Sequence, residues 1–246
     1  MKSLGLSQVD EVLLEEIGVR NNRRFHLIDE AGNLINGKRH GALARVSSAY
    51  EEAGGTLELR FPDGRVVAGE VAVDGEVTTN FWGRPVAGRI VVGPWSDAIS
   101  EFAGAPLRLV RPDAEGAGVD RGRSGAFSLV SRASLVALAR EAGVEPPVDF
   151  RRFRLLFGVD GVGEHEEDDW LGREIRIGEA TVLPRGNVGR CAVTTQNPDT
   201  GKPDLDTLKV LKAYRGDIPT TEPLPFGIAG EVVRAGRVRV GDPVVA

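Results

Sequence analysis

The sequence predicts a mainly β protein with a few helices, of the α+β class. Three observations carry this reading. The 246 residues include 32 glycines and 14 prolines, so turns are frequent and elements short. Apolar residues largely alternate with polar ones over short runs bounded by Gly, Asp, Asn and Pro, the period-two pattern of half-buried strands. Helical spacing is confined to WSDAISEF, the run after Ser131, and LDTLKVLKAY.

Taken in order, RRFHLIDEAGNLI alternates at Phe25 and Leu27 and breaks at Ala31-Gly32-Asn33, which reads as a hairpin. TLELRFPDGRVVAGEVAV turns at Pro62-Asp63-Gly64, and GRPVAGRIVVG reads as a further short strand pair. Strands at this spacing make a small barrel or sandwich up to about Gly93. WSDAISEF, from Trp95 to Phe102, opens the next unit as a short helix, and RPDAEGAGVDRGRSG follows as a charged, glycine-rich loop. Ser131 then precedes the helix-period run RASLVALAREAG, which Gly143 closes. From Arg151 the pattern is again β, in RFRLLFGVDG, REIRIGEATVLP, RCAVTTQNPDTG and GEVVRAGRVRVGDPVV. One helix interrupts it at LDTLKVLKAY, with Leu208, Leu211 and Tyr214 on one face.

Composition narrows the function classes. With 31 Lys+Arg against 36 Asp+Glu and a net charge of -5, the chain has no broad cationic footprint for nucleic acid or anionic lipid. Its one cysteine, Cys191, excludes an internal disulfide and a cysteine-built iron–sulfur cluster, and points to the cytoplasm. No apolar run approaches the roughly 20 residues that span a bilayer, and the acids of SLGLSQVDEVLLEE spoil a secretory leader. GVDGVG, from Gly158 to Gly163, runs into HEEDDW, which sets acids where a pyrophosphate would lie, so it reads as an ordinary turn. His26, His40 and His165 are scattered without zinc-ligand spacing, and the HEEDD run from His165 to Asp169 reads as a solvated acidic face. What remains is Arg190-Cys191, followed by Ala192-Val193-Thr194-Thr195. A lone cysteine beside apolar residues is in itself a small buried hydrophobe. The permanent cation beside it favours a thiolate, the form that ligates metals.

The stretch RCAVTTQNPDTGKPDLDTLKVLKAYR, with EEDDWLGREIRIGEA before it and FGIAGEVVRAGRVRVGDPV after it, resembles the MOSC domain, the C-terminal domain of molybdenum cofactor sulfurases. The opening KSLGLSQVDEVLLEEIGVRNNRRFHLIDEAGNLI and KRHGALARVS resemble the N-terminal β-barrel domain that accompanies it. Within the family the layout is most similar to amidoxime- and N-hydroxylamine-reducing proteins. The resemblance implies a MOSC N-terminal-like β-barrel domain over 1–94 and a MOSC β-barrel domain over 95–246.

The resemblance also implies a site. Cys191 matches the cysteine that ligates molybdenum, and a soft thiolate suits that metal. Arg190, its neighbour in the pair, is counted with the cofactor-binding residues. Lys2 and Ser3 match a Lys-Ser pair at the phosphate of molybdopterin, and Arg23 matches an arginine before the hairpin. Arg154 matches an arginine that contacts the pterin, and Thr194 and Thr195 match two threonines lining the metal pocket. Where relatives carry RPN, this chain has Arg154-Leu155-Leu156, so an amide is replaced by an apolar side chain.

The implied activity is an oxidoreductase that reduces N-hydroxylated substrates by oxygen transfer to a Cys-ligated molybdenum. The chain has no flavin or nicotinamide fingerprint, so electrons would come from a ferredoxin-like or flavin-containing partner. Two alternatives stand beside this reading. One is a carrier of molybdopterin, or of sulfur as a Cys191 persulfide. The other is a cofactor-free MOSC fold with different small-molecule chemistry, which Leu155 and Leu156 favour.

Overall fold

The structure, a computed structural model, describes residues 1–220 and 222–246. In chain order its strands begin with β1 (Glu11–Glu15), β2 (Gly18–Val19), β3 (His26–Ile28), β4 (Ser47–Glu51), β5 (Thr56–Arg60), β6 (Val66–Glu70), β7 (Ala72–Phe81) and β8 (Arg84–Val92). Helix α1 (Trp95–Ala103), β9 (Arg108–Pro112), β10 (Phe127–Ser131), α2 (Arg132–Ala142), β11 (Phe157–Val159), β12 (Ile175–Ile177) and β13 (Ala180–Gly189) follow. The described chain ends through α3 (Thr207–Arg215), β14 (Pro225–Arg234), β15 (Gly236–Arg239) and β16 (Val244–Val245). The fold is therefore mainly β with a few helices, as the sequence predicts.

Two compact units divide the chain, each assembled from separated segments. The first takes residues 1–8, 21–122 and 198–202; the second takes 9–20, 123–197 and 203–246. Helix α1, which the sequence reading set at the head of the second domain, lies in the first unit. Its Trp95 is fully buried beside Phe25, Leu57, Leu59 and Leu109, and its indole N–H donates to the Leu57 carbonyl at 3.1 Å. Gly93, at φ 140°, leaves the room this indole needs, since a Cβ there would lie 2.3 Å from the ring.

The first unit holds the sheets β3-β9-β8-β7 and β4-β5-β6. The turn at 62–64 joins β5 to β6 as expected, with Leu57 and Leu59 alternating inward. RPVAGRIVV, however, is one strand, β8, paired along its length with β7. Its turn lies just ahead, at Trp82 and Gly83, both with positive φ as a two-residue hairpin turn requires. Gly88 inside β8 is a packing residue: a Cβ there would lie 2.7 Å from the Arg111 carbonyl oxygen of β9.

The second unit holds β11-β10-β14-β13-β12-β16 and β15-β1-β2. Helix α2 starts and stops where Ser131 and Gly143 predict. Ser131 Oγ accepts the Ser134 N–H at 3.0 Å, and Gly143 ends the helix in the left-handed conformation at φ 66°. Its apolar residues Leu135, Leu138 and Ala139 pack with Leu211 of α3, Phe153 and Phe226.

Two expectations change here. RCAVTT is not strand: β13 ends at Gly189 and Ala192–Thr195 form a 3-10 turn. The HEEDD run is a solvated face only at Glu166 and Asp169. Glu167 is fully buried, accepting the Ser131 N–H at 3.2 Å and the Ser134 hydroxyl at 2.8 Å. Asp168 accepts from Arg215 at 2.5 Å and from the Asn187 amide at 2.6 Å. These acids brace the packing of α2 and α3, and among the described residues no group of three His, Cys, Asp or Glu is placed to hold a metal.

Candidate functional site

In the second unit, four residues named from the sequence form one continuous piece at the end of β13. Arg190 is buried, with only 9% of its surface exposed. Its Nε donates to the Phe226 carbonyl at 2.8 Å, Nη2 donates to the same oxygen, and Nη1 donates to the Phe153 carbonyl at 3.0 Å. The guanidinium also lies 5.4 Å from the Phe153 ring centroid. A planar fork with fixed donors suits such a task better than an ammonium would. Arg190 thus ties β13 to β14 and to the segment preceding Arg154.

Cys191 follows in extended conformation and its side chain is exposed, contrary to the behaviour of an isolated apolar cysteine. The backbone immediately after it is locked. The Thr194 N–H and hydroxyl both donate to the Cys191 carbonyl, each at 3.0 Å. The Thr194 hydroxyl also lies 2.6 Å from that of Thr207, the first residue of α3, and both threonines are buried. The Thr195 hydroxyl donates to the Ala192 carbonyl at 2.8 Å, closing the 3-10 turn. These contacts leave the thiol as an exposed group on a loop whose backbone is hydrogen-bonded on the far side.

Arg154 sits at the end of the 3-10 turn Phe150–Phe153, in left-handed conformation at φ 53°. Leu155 belongs to the core, packed against Gly227, where a Cβ would come within 2.9 Å of it. The Leu156 N–H donates to Ser128 Oγ at 3.1 Å and its side chain is half-buried. Arg152 is a residue that motif matching overlooks. Its guanidinium is anchored on Asp204, at 2.7 and 2.9 Å, and reaches the Thr195 carbonyl at 3.3 Å, so it fixes the far end of the Cys191 loop. The Arg-rich run 151–154 was the available signal.

Lys2, Ser3 and Arg23 lie in the first unit. Lys2 Nζ and Arg23 Nη1 both face the carboxylate of Asp120, the first in direct contact with Oδ1 and the second 3.9 Å from Oδ2. Burial works to raise the Asp120 pKa, but Lys2 and then Arg23 outweigh it and hold the carboxyl below its ordinary range. The Asp120 loop is itself built in. Arg84 donates to the Ala117 and Val119 carbonyls at 2.8 Å each, and Gly118 approaches so closely that a Cβ there would lie 2.1 Å from the Arg23 carbonyl oxygen. Ser3, at φ 71°, spends its hydroxyl on the Ile35 carbonyl at 3.0 Å. Behind Lys2, His26 is fully buried edge-on to Phe81, with Nε2 2.9 Å from the Thr79 hydroxyl. Burial, and then Lys2, lower its pKa to about 4, so it is neutral near pH 7.

The chemistry of these residues suits the group that the sequence resemblance implies at the thiol, and at the cations only with Asp120 displaced. In the second unit the exposed Cys191 thiol offers a single soft ligand; in the first unit Lys2 and Arg23, from separate segments, share the Asp120 carboxylate, the place a phosphate would have to take.

Two family models match the chain. Residues 116–245 match the family model of the MOSC domain, and residues 1–104 match that of the MOSC N-terminal beta barrel domain. The mitochondrial amidoxime-reducing component 1 of Xenopus laevis is 25% identical over 279 residues, covering 99% of this chain and 78% of that protein. The mitochondrial amidoxime reducing component 2 of Rattus norvegicus is 37% identical over 122 residues, covering 47% of this chain but only 35% of the rat protein. Among solved structures, YiiM from Geobacillus stearothermophilus matches 51% of this chain and 55% of its own at 19% identity, with a TM-score of 0.38. Among the described residues no helix is long and apolar enough to cross a membrane.

Proposed function

Because the chain belongs to the MOSC-domain family, with a MOSC N-terminal beta barrel domain ahead of the MOSC domain, we propose that it is a molybdenum-cofactor oxidoreductase that reduces N-hydroxylated compounds. The observation that carries the proposal is the exposed Cys191 thiol on a loop held from both sides, by Arg190 before it and by Thr194 and Arg152 after it. The names of the amidoxime-reducing relatives supply the substrate class.

Cys191 would be the protein's ligand to the metal, and Lys2 and Arg23 would supply the cations for the phosphate of the pterin, in place of Asp120. Arg154 would contact the pterin, and Ser3 would shape the phosphate end through its backbone, its hydroxyl being taken by Ile35. When bound, the cofactor supplies a two-electron centre for converting N–OH to N–H, with two electrons and two protons consumed and water released. Arg190, Thr194 and Thr195 act on the loop rather than on the substrate: their polar atoms are taken up by backbone carbonyls. They keep the thiol in one place, so that a substrate meets a preorganised site. The electrons arrive from a separate ferredoxin-like or flavin-containing protein in the cytoplasm, since the chain carries no flavin or nicotinamide fingerprint of its own.

The same exposed thiol also suits a sulfur carrier, which needs accessibility but no phosphate clamp. Turnover separates the two. Protein from a host that makes the cofactor should reduce an amidoxime with an artificial low-potential donor, fail with NADH alone, and lose activity in Cys191→Ser. Activity retained in Cys191→Ser, or turnover driven by NADH and this chain alone, refutes the proposal.

A further inference from the structure

The first unit contains a cavity of about 510 Å³ that the proposed reaction does not use. This is the volume of an ordinary small-molecule site. One side is the loop between β3 and the 3-10 turn Gly41–Arg45; the other is Trp82 at the tip of the β7–β8 hairpin. The floor is apolar, formed by Leu34 and the buried Ile35.

Trp82 is placed with care. It is 62% exposed, unlike Trp95 at 1% and Trp170 at 4%. It adopts φ 55°, a region that bulky side chains avoid. Its indole N–H donates to Asp120 Oδ1 at 3.2 Å, which fixes the plane of the ring while leaving the side chain in solvent. Lys38 Nζ lies 5.8 Å from the ring centroid.

The charge on the wall is positive. Lys38 and Arg39 are adjacent and exposed, and neither forms an ion pair among the described residues. The acid on this wall, Asp29, has both oxygens occupied by Asn33, at 2.8 and 3.0 Å. The Lys38 N–H is held by Asn36 Oδ1 at 3.0 Å, so the loop that carries the two cations is itself tied down.

From this juxtaposition of a fixed exposed indole, an apolar floor and two uncompensated cations, we infer that the cavity binds a planar aromatic carboxylate. The ring stacks on Trp82, and the carboxylate is taken by the Arg39 fork and the Lys38 ammonium. The flexible lysine stem lets the ammonium leave the indole face for the carboxylate as the ring arrives. This inference needs no cofactor, and its one link to the molybdenum reading is Asp120, which Trp82 shares with Lys2.

The test uses the full chain labelled with 5-fluorotryptophan and followed by fluorine NMR. The Trp82 resonance is assigned by its loss in Trp82→Phe. Titration with 2-naphthoate should move that resonance saturably and leave those of Trp95 and Trp170 in place. The uncharged 2-naphthamide should bind roughly tenfold more weakly, as should 2-naphthoate to the Lys38→Ala/Arg39→Ala variant, whose exposed substitutions leave the core untouched. Inorganic phosphate should compete only weakly, because it brings no ring. No saturable shift up to about 10 mM naphthoate, the range of a very weak fragment, overturns the inference. So does equal affinity for naphthamide, unchanged affinity in the double variant, or displacement by phosphate at concentrations equal to naphthoate.

Discussion

Replacing Arg190 by methionine separates two roles for this residue, a direct hold on a ligand and a hold on the protein itself. The guanidinium makes three contacts to two carbonyl oxygens, those of Phe226 and Phe153, both on residues at most 3% exposed. Methionine fills much of the same space but donates nothing. Each orphaned buried acceptor costs about 1–3 kcal/mol. Part of this is offset because a cation no longer has to be kept out of water. The expected net loss is about 3 kcal/mol, or about 6–12 °C in Tm for a chain of this size. Arg190→Lys should recover at most about half, since one ammonium cannot bridge both carbonyls with a fork. The assay is denaturant unfolding of parent, Met and Lys variants, with the rate of Cys191 alkylation measured in the same samples. Methionine should lower the midpoint and change the alkylation rate by loosening the loop. A variant as stable as the parent, with unchanged alkylation, would refute the structural role.

Three further outcomes follow from the same contacts. His26 has its pKa lowered from 6.5 to about 4 in the folded protein, so between these values the unfolded chain binds a proton that the folded one does not. Stability is therefore lost as pH falls from 6.5 towards 4, by about 3 kcal/mol at the lower end; urea midpoints at pH 7 and 4.5 should converge in His26→Phe/Thr79→Val, and an unchanged pH dependence would contradict this. Glu167→Ala should cost about 2–3 kcal/mol by stranding the Ser131 N–H and the Ser134 hydroxyl, read as a lower melting temperature, whereas a neutral substitution would show that these bonds contribute little. Leu156→Asn restores the amide that the family resemblance implies and should slow pterin release on dilution several-fold, for a bond worth about 0.5–1.5 kcal/mol; an unchanged release rate would mean that another group already satisfies that edge.

What could be read from the sequence was what local chemistry decides. The limits of α2 follow from Ser131 and Gly143, whose side chain and backbone act within one turn of the helix. The 62–64 hairpin likewise follows from Pro-Asp-Gly. Errors arose where distant partners decide. Gly88 looks like a turn in a short window, but it is dictated by the Arg111 backbone of the neighbouring strand. Glu167 looks solvated in an acidic run, yet it is buried by serines more than 30 residues earlier. β1, near the start, pairs with β15, near the end, so a single cut in the sequence cannot describe the two units. In the candidate site the pattern is the same. The Arg190-Cys191 piece could be picked out by its neighbours in sequence, whereas Arg152 and Asp120 could not, because their partners lie 38 or more residues away: Thr195 and Asp204 for Arg152, Lys2 and Trp82 for Asp120.

The reading of Cys191 as the metal ligand is tested most directly by elemental and pterin analysis. Parent and Cys191→Ser protein would be purified from a host able to make the cofactor, with matched circular dichroism to show equal folding. The account predicts molybdenum and pterin in near-stoichiometric amounts in the parent, and molybdenum lost from the serine variant, because a hydroxyl is a harder and weaker ligand than a thiolate. Equal molybdenum in both proteins, or none in either, would contradict it.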